Sequence, residues 1–376
     1  MTGLGHTGGP AGLYKFMDEL ARRGHKVHLV TPNGHLSWRP GLSKEVLSNP
    51  PLQSVRYTGK QTIKKILAKV PLLERPARKV VDKVRSNTDP LMAIRRLTKG
   101  LIHNWVEADA TIATYCFTAF AGYELMDRTV PFYHMQHYEE LFFTGVEDRM
   151  LARSTYFLPL SLMANSSWLK TQIKERFKRD AFLLTPAISH EIFYPRAMIA
   201  EKYSSPKKIR IVSYADARAF KGWEDGVAAM EIVFSKLGKK NIEWVVFGGY
   251  QPRTDLPIQH VGKIFNDDLA ALYSSAHIVF MPSWYESYPR PPLEAMNCGT
   301  AAVCTQFGTE DYAYDKQNAL VVPPRNPRAL AEAIIALATD PKLAKELALN
   351  GLETAREITW EKSTDRLEEI LKRGVS

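Results

Sequence analysis

The feature that most constrains this chain is an alternation, run through twice, of short apolar stretches with stretches of helical periodicity. In the first half, Leu13, Phe16, Met17, Leu20 and Ala21 recur at helical spacing, stop at Gly24 and give way to a strand-like run at 26–31. Further strand-like runs follow at 110–114, 130–136, 160–165 and 181–185. Helical patterns separate them, as at 167–176, where Ser166 or Ser167 suits the N-cap. From Pro186 to Lys208 the chain becomes rich in proline, serine and charge and loses any period, which predicts a linker. The alternation then restarts with strand 209–214, helix 223–237 and strand 242–247, which runs into Gly248-Gly249. Helix 267–275, strand 277–281, helix 292–298, strands 301–304 and 319–322, and helices from Pro327 onward complete it. Strands alternating with helices predict parallel sheets covered on both faces. The expected fold class is therefore α/β: doubly wound domains at 1–187 and 209–358, a linker at 188–208, and a closing helix at 359–376 that returns to the first domain.

The bulk properties agree. A chain of 376 residues divides naturally into two domains, and 45% hydrophobic with 24% charged residues is enough to bury two cores. No apolar run reaches the roughly 18 residues a membrane-spanning helix needs. The first residues lack a basic region followed by an apolar one, so no secretory signal is expected. Cys116, Cys298 and Cys304 show no paired spacing, which predicts buried thiols in a reducing, cytoplasmic setting.

The net charge of +10 is concentrated: thirteen basic residues fall between positions 56 and 100, against Glu74, Asp82 and Asp89. Such a stretch calls for a local anionic partner. Ile63, Ile66, Leu67 and Val70 recur at helical spacing, with Lys60, Lys64, Lys65 and Lys69 on the other side. That pattern suits a helix lying on an anionic membrane surface, and equally one with its apolar side in a core. Nucleic acid is not expected, because aromatic residues are sparse there and no nucleic-acid-binding motif appears.

The segment 283–296 lies just beyond the strand at 277–281, and open α/β sheets bind ligands outside the carboxyl ends of their strands. Pro291 and Pro292 are placed to open a helix, whose free amides and positive dipole end suit a diphosphate. Glu294 would then lie in the first helical turn and Glu286 in the preceding loop, both able to accept hydrogen bonds from hydroxyl groups. Alone, a glutamate near a helix start does no more than offset the dipole; the neighbours carry the argument.

With those neighbours the segment resembles the Glu-x7-Glu motif of glycosyltransferase family 4, retaining enzymes of the GT-B fold, in which two Rossmann-like domains face a cleft. Gly262 with 267–273, Met281-Pro282-Ser283, Cys298-Gly299-Thr300, Gly308-Thr309-Glu310, 318–324 and Thr359-Trp360-Glu361 fit that family in order. The agreement spans 209–371 and is looser in the first half, where it rests on Gly8-Gly9 and the helix–strand unit after them. Gln136-His137-Tyr138-Glu139 with Asn165-Ser166-Ser167 resembles a branch containing rhamnosyltransferases of bacterial surface polysaccharides.

The resemblance implies roles. Glu286 would sit by the donor sugar, Glu294 would hold the nucleotide ribose, and Ser287, Tyr288, Pro289, Arg290 and Leu293 would surround the diphosphate. Lys221 matches the phosphate-binding lysine, with Gly248 and Gly249 also on the donor side. Many family members carry an arginine six residues before that lysine; here Ala215 stands there, and Arg218 or Arg290 could supply the charge. On the acceptor side, the loop 3–12 with Gly8, Gly9 and Gly12 would face phosphate and acceptor. The spacing of Gly3, Gly5 and Gly8 also matches a dinucleotide fingerprint, but the preceding strand and the acidic partner are lacking. The family has a strand before this loop, so the chain reads as missing its first strand. A functional histidine often ends the strand at 130–136; the equivalent is Gln136, flanked by His134 and His137.

No Asp-x-Asp pair occurs, so neither a metal nor any other cofactor is expected. The implied function is transfer from a nucleotide-sugar donor to a glycan or lipid-linked acceptor, with retention, by a cytoplasmic protein peripheral to the inner membrane face. The rival readings are a sugar-nucleotide 2-epimerase of GT-B architecture and a non-catalytic glycan-binding homologue.

Overall fold

A computed structural model describes residues 8–30, 46–48, 90–204, 206–251 and 253–375. The expected amphipathic helix of Lys60 to Val70, and Gly3 and Gly5 of the glycine loop, lie outside the described residues. The chain forms two compact units. One comprises Gly9–Met163, Phe177–Phe182 and Glu368–Ser376; the other comprises Met1–Gly8, Ala164–Arg176 and Leu183–Leu367.

The amino-terminal elements are α1 (Gly8–Arg22), β1 (Val27–Leu29), β2 (Val46–Ser48), α2 (Pro90–His103), β3 (Ala110–Ala113), α3 (Cys116–Glu124), β4 (Val130–Met135), α4 (Val146–Ser154), β5 (Ser161–Ala164), α5 (Ser167–Phe177) and β6 (Ala181–Leu183). β1 pairs with β2 in parallel, and a second sheet has the order β3-β4-β5-β6. The glycine loop differs from expectation, because α1 already begins at Gly8 and takes Gly8, Gly9 and Gly12 into its first turns. Pro10, with its fixed φ, suits a helix start. β4 is covered on both faces, with Phe132, Tyr133 and Met135 fully buried. At the chain's end, His25 Nε2 lies 2.9 Å from Glu368 Oε1, and Gly374 packs against the Phe132 ring.

The carboxy-terminal elements are α6 (Ile199–Ser204), β7 (Ile209–Tyr214), α7 (Trp223–Leu237), β8 (Ile242–Phe247), β9 (Ile258–His260), α8 (Asn266–Ser275), β10 (Ile278–Met281), α9 (Arg290–Asn297), β11 (Ala301–Thr305), β12 (Leu320–Val322), α10 (Pro327–Thr339), α11 (Pro341–Arg356) and α12 (Trp360–Val375). Six strands form one parallel sheet in the order β12-β11-β10-β7-β8-β9. Successive strand residues point to opposite faces. Ile211, Trp244, Val246 and Phe280 meet α7 and α10 on one face, whereas Val212, Val245 and Val279 meet α8 and α9 on the other.

The stretch expected to be a period-free linker carries α6 and two anchors. Phe193 and Tyr203 are 6% and 4% exposed. Tyr203 donates its hydroxyl proton to the His277 carbonyl at 2.7 Å and accepts the Ala301 amide at 3.0 Å. Six helical residues make fewer than two turns, too few for a period to show. All three cysteines are free and buried. Among the described residues no helix is long and apolar enough to cross a membrane.

Candidate active site

β7 and β10 are neighbours from which the sheet grows in opposite directions, through β8 and β9 on one side and β11 and β12 on the other. That is a topological switch point, where the loops leaving the two strands part and open a crevice. The β7 loop ends in a 3-10 turn, Ala219–Lys221, closed by Gly222 at φ 65°. A Cβ at Gly222 would stand 2.0 Å from the Pro282 carbonyl oxygen, so only glycine lets the β7 and β10 loops lie together. The Trp284 amide donates to the Phe220 carbonyl at 2.7 Å and fastens them.

This contact brings Lys221 Nζ to 2.5 Å from Glu286 Oε1. Ser283 Oγ donates to the same oxygen at 2.8 Å, while Glu286 Oε2 has no partner among the described residues. The Glu286 amide donates to the Phe307 carbonyl at 3.0 Å. Gly308, at φ 101°, allows its loop to approach the Glu286 carbonyl, which a Cβ would meet at 2.4 Å. Glu286 is only 7% exposed, so an ion pair with little water around it occupies the switch point.

α9 starts at Arg290, earlier than expected, and Glu294 therefore lies in its second turn. It is 3% exposed. Burial raises its pKa, opposed by the Arg290 guanidinium 3.1 Å away. The helix start is poor in donors. Of the four positions whose amides lack an intrahelical acceptor, Pro289, Pro291 and Pro292 have no N–H, leaving the Arg290 amide alone. The expectation of several first-turn amides facing a diphosphate is corrected accordingly. Tyr288 and Leu293 turn their side chains into a core with Met296 and Tyr312, so only their backbone is left for a ligand. Ser287 donates its hydroxyl to Asn165 Oδ1, and Tyr312 donates to the Pro289 carbonyl at 2.5 Å.

Both arginines weighed as substitutes at Ala215 are already paired. Arg218 holds Asp216 through two side-chain bonds, at 2.9 and 2.7 Å, with its guanidinium 5.1 Å from the Phe220 ring. Burial would raise the Asp216 carboxyl, but the Arg218 hydrogen bonds and charge prevail and bring it to about 2. Arg290 is held by Glu294. Ala215 itself is fully buried in the core. Gly248, at φ 133°, brings its backbone against the Ala215 carbonyl, and the Lys263 side chain lies across Gly249.

Sequence reasoning passed over Lys263, and also a row of aromatic rings beside the pair. Phe220 stacks on Tyr285 at 5.1 Å, and Tyr285 on Trp168 at 6.4 Å. Ser167 adds a bond from its amide to Asp311 at 2.8 Å. Contacts between residues more than a hundred positions apart leave no local signal.

In the amino-terminal unit, His134 is 4% exposed and its Nε2 has no partner among the described residues. Burial lowers its pKa to about 4, so the ring is neutral near pH 7. His137 is buried against Phe142, with ring centroids 4.8 Å apart. Gln136 donates its backbone N–H to Glu139 Oε1 at 3.4 Å. Glu139, given no role by the sequence, is the hub here: it accepts the Cys116 amide and the Tyr133 hydroxyl, the latter at 3.1 Å. Burial raises its pKa to about 7 against those bonds. Among the described residues no group of three or more His, Cys, Asp or Glu side chains is arranged to hold a metal ion.

Comparisons with known proteins bear on this geometry. Residues 208–340 match the protein family described as Glycosyl transferases group 1. O-antigen chain mannosyltransferase B of Escherichia coli is 27% identical over 146 residues, which are 39% of this chain and 33% of that protein. The match thus spans a third of that relative's length. Sucrose-phosphate synthase from Thermosynechococcus elongatus superposes with a TM-score of 0.72 at 18% identity, covering 98% of this chain and 93% of that one. Anabaena Alr3699/HepE, solved in complex with UDP and glucose, gives 0.66 at 14% identity, covering 97% and 96%. The segment 208–340 thus matches the glycosyl transferases group 1 family, and the chain has the α/β fold of two Rossmann-like domains known as GT-B.

Proposed function

We propose that the chain is a retaining glycosyltransferase that moves a sugar from a nucleotide-sugar donor to a glycan or lipid-linked acceptor without a divalent metal. The observation that carries this reading is the Lys221–Glu286 pair at the switch point, inside the group 1 segment. A donor diphosphate would displace Glu286 as the partner of Lys221, one anion replacing another beside the ammonium. Glu286 would then offer both oxygens to the sugar hydroxyls, and Glu294 would receive the ribose. As the glycosidic bond breaks, negative charge grows on the leaving diphosphate, where a preorganised cation is worth most. The departing phosphate oxygen takes the acceptor's proton, and the new bond forms on the face the nucleotide left.

The likeness to a mannosyltransferase and the resemblance to surface-polysaccharide rhamnosyltransferases make hexoses and deoxyhexoses the first sugars to try. The basic stretch 56–100 would hold the protein peripherally on an anionic inner membrane face. Within it, α2 carries no carboxylate and exposes Leu91 and Met92 beside Arg95, Arg96 and Lys99. A thermal-shift screen with UDP-, GDP-, dTDP- and CDP-sugars tests the donor reading, since ligand binding raises stability by mass action. Absence of any shift across the set counts against it. Conversion of the donor without acceptor would instead favour the 2-epimerase, and glycan binding with no turnover of any donor would favour the non-catalytic homologue.

A further inference from the structure

The two most exposed large apolar side chains among the described residues, Val146 at 71% and Met150 at 65%, stand one turn apart on α4 of the amino-terminal unit. Phe142, four positions before Val146, and Phe157, soon after the helix ends, are exposed as well. Both rings are held in place. The Phe142 ring lies 4.8 Å from that of His137, and the Phe157 ring 5.3 Å from that of Phe177. Four large apolar groups so close together form a patch, which marks a contact surface where scattered single side chains would not.

Charge on α4 is arranged symmetrically in position and oppositely in sign about Met150. Glu147 stands three positions before it and Arg153 three after, so both lie within about 60° of Met150 around the helix, on its face. Asp148 and Arg149 fall outside that face, and Arg149 donates to the Phe143 carbonyl at 3.2 Å. Glu147 is exposed and has no hydrogen bond or ion pair among the described residues. Arg153 is half-exposed, with its guanidinium 3.7 Å from Glu140 Oε2 and 5.1 Å from the Phe177 ring. A guanidinium has five N–H donors, so that contact leaves others for a partner.

Such a face complements itself. When two copies of α4 lie antiparallel about a two-fold axis at Met150, each residue after Met150 faces the one equally far before it in the other copy. Met150 then packs on its own counterpart, and Glu147 meets the partner's Arg153, an ion pair formed twice. The helix dipoles also run head to tail, which is favourable. An anionic bilayer, by contrast, would meet the Glu147 carboxylate within the face; it suits α2, which carries none. We infer that α4 and its flanking rings are the contact of a two-fold dimer, covered by a second copy of this chain packed antiparallel across Met150. A standard interface takes about 20–30 residues a side, and this face offers fewer, so the dissociation constant should be about 1–100 µM.

The inference goes beyond the donor reading and does not depend on it. Sedimentation velocity of the full chain over a concentration series reads the equilibrium. Wild type should pass from monomer to dimer and stop there, because a two-fold contact closes on itself. Met150→Glu, at an exposed position, sets two like charges together at the axis and should leave monomer throughout. Glu147→Arg, also exposed, turns both ion pairs into repulsions and should weaken the dimer about tenfold or more. Glu147→Arg/Arg153→Glu reverses both pairs and should recover most of that loss. A wild type that stays monomeric, that grows beyond a dimer, or whose association is unchanged by Met150→Glu or by Glu147→Arg would overturn the inference. So would a double variant that melts as wild type does and recovers nothing. Co-sedimentation with phosphatidylserine vesicles tests the other cover: a monomer whose vesicle binding Met150→Glu abolishes would assign the face to a membrane instead.

Discussion

Replacing Lys221 by methionine keeps much of the side chain's volume and removes the one cation bonded to Glu286 among the described residues. Two separable losses follow. In the folded protein the Glu286 carboxylate, 7% exposed, keeps Ser283 as its one side-chain hydrogen-bond donor among the described residues. Removing one member of a fully buried pair costs about 3–5 kcal/mol. The Lys221 side chain is 13% exposed, so water recovers part of that and about 1–3 kcal/mol is expected. For a domain of this size each kcal/mol lowers the melting temperature by about 2–4 °C. In the reaction, loss of a preorganised cation beside the leaving diphosphate should cost about 2.7–4 kcal/mol, a factor of about 10²–10³ in turnover. The two losses part company in the double variant Lys221→Met/Glu286→Gln. Removing both charges should restore much of the melting temperature, because no unpaired ion remains buried, while turnover stays low. Scanning calorimetry and donor turnover on the two single variants and the double variant give the cycle. If the double variant melts as far below wild type as the two single changes added together, the pair is not coupled and the reasoning fails.

Gly222→Ala sets a Cβ against the Pro282 carbonyl at a positive φ; about 2–4 kcal/mol of stability should go, along with nucleotide-sugar affinity. Calorimetry and a donor titration check it, and a melting temperature equal to wild type would contradict the fit of the two loops. Glu139 has its carboxyl raised from 4.5 to about 7 in the folded state, so the folded protein binds the extra proton and loses stability as pH rises through that window. Glu139→Gln should therefore gain stability relative to wild type from pH 4.5 to about 7, by at most about 3 kcal/mol, and hold a constant difference above. Urea denaturation across that range reads it, and a pH-independent difference would refute it. Gly374→Ala would bring a Cβ to 2.4 Å from the Phe132 ring. Faster amide exchange confined to the end of α12 should follow, and unchanged protection would show that this contact does not hold the helix end.

How much was legible in the sequence follows burial and span. β7, α7 and β8 have the bounds their periodicity predicts, because both faces of the strands are covered and α7 buries a continuous stripe. β9 is a three-residue edge strand with half-buried and exposed side chains, and α6 is shorter than two turns, so neither carries a period. The start of α9 was misplaced because Pro289 serves as N-cap and Arg290 as the first helical residue ahead of the two prolines. The residue types of the site could be read from the motif, but their pairing could not. Lys221 and Glu286 are 65 positions apart and meet only because β7 and β10 are adjacent. Arg218 looked free to clamp a phosphate, yet Asp216, two residues away, holds it; that short-range pairing could have been anticipated.

The central claim is that the Lys221–Glu286 crevice receives a nucleotide-sugar and transfers its sugar. Its most direct measurement compares wild type with Glu286→Gln, following sugar transfer and nucleotide binding with the donor that the thermal-shift screen selects. The account predicts transfer by wild type and a loss of about a hundredfold or more in the variant, with binding of the free nucleotide diphosphate retained. Equal transfer by both proteins, or equal loss of transfer and of nucleotide binding, would contradict the assignment of Glu286 to the donor sugar.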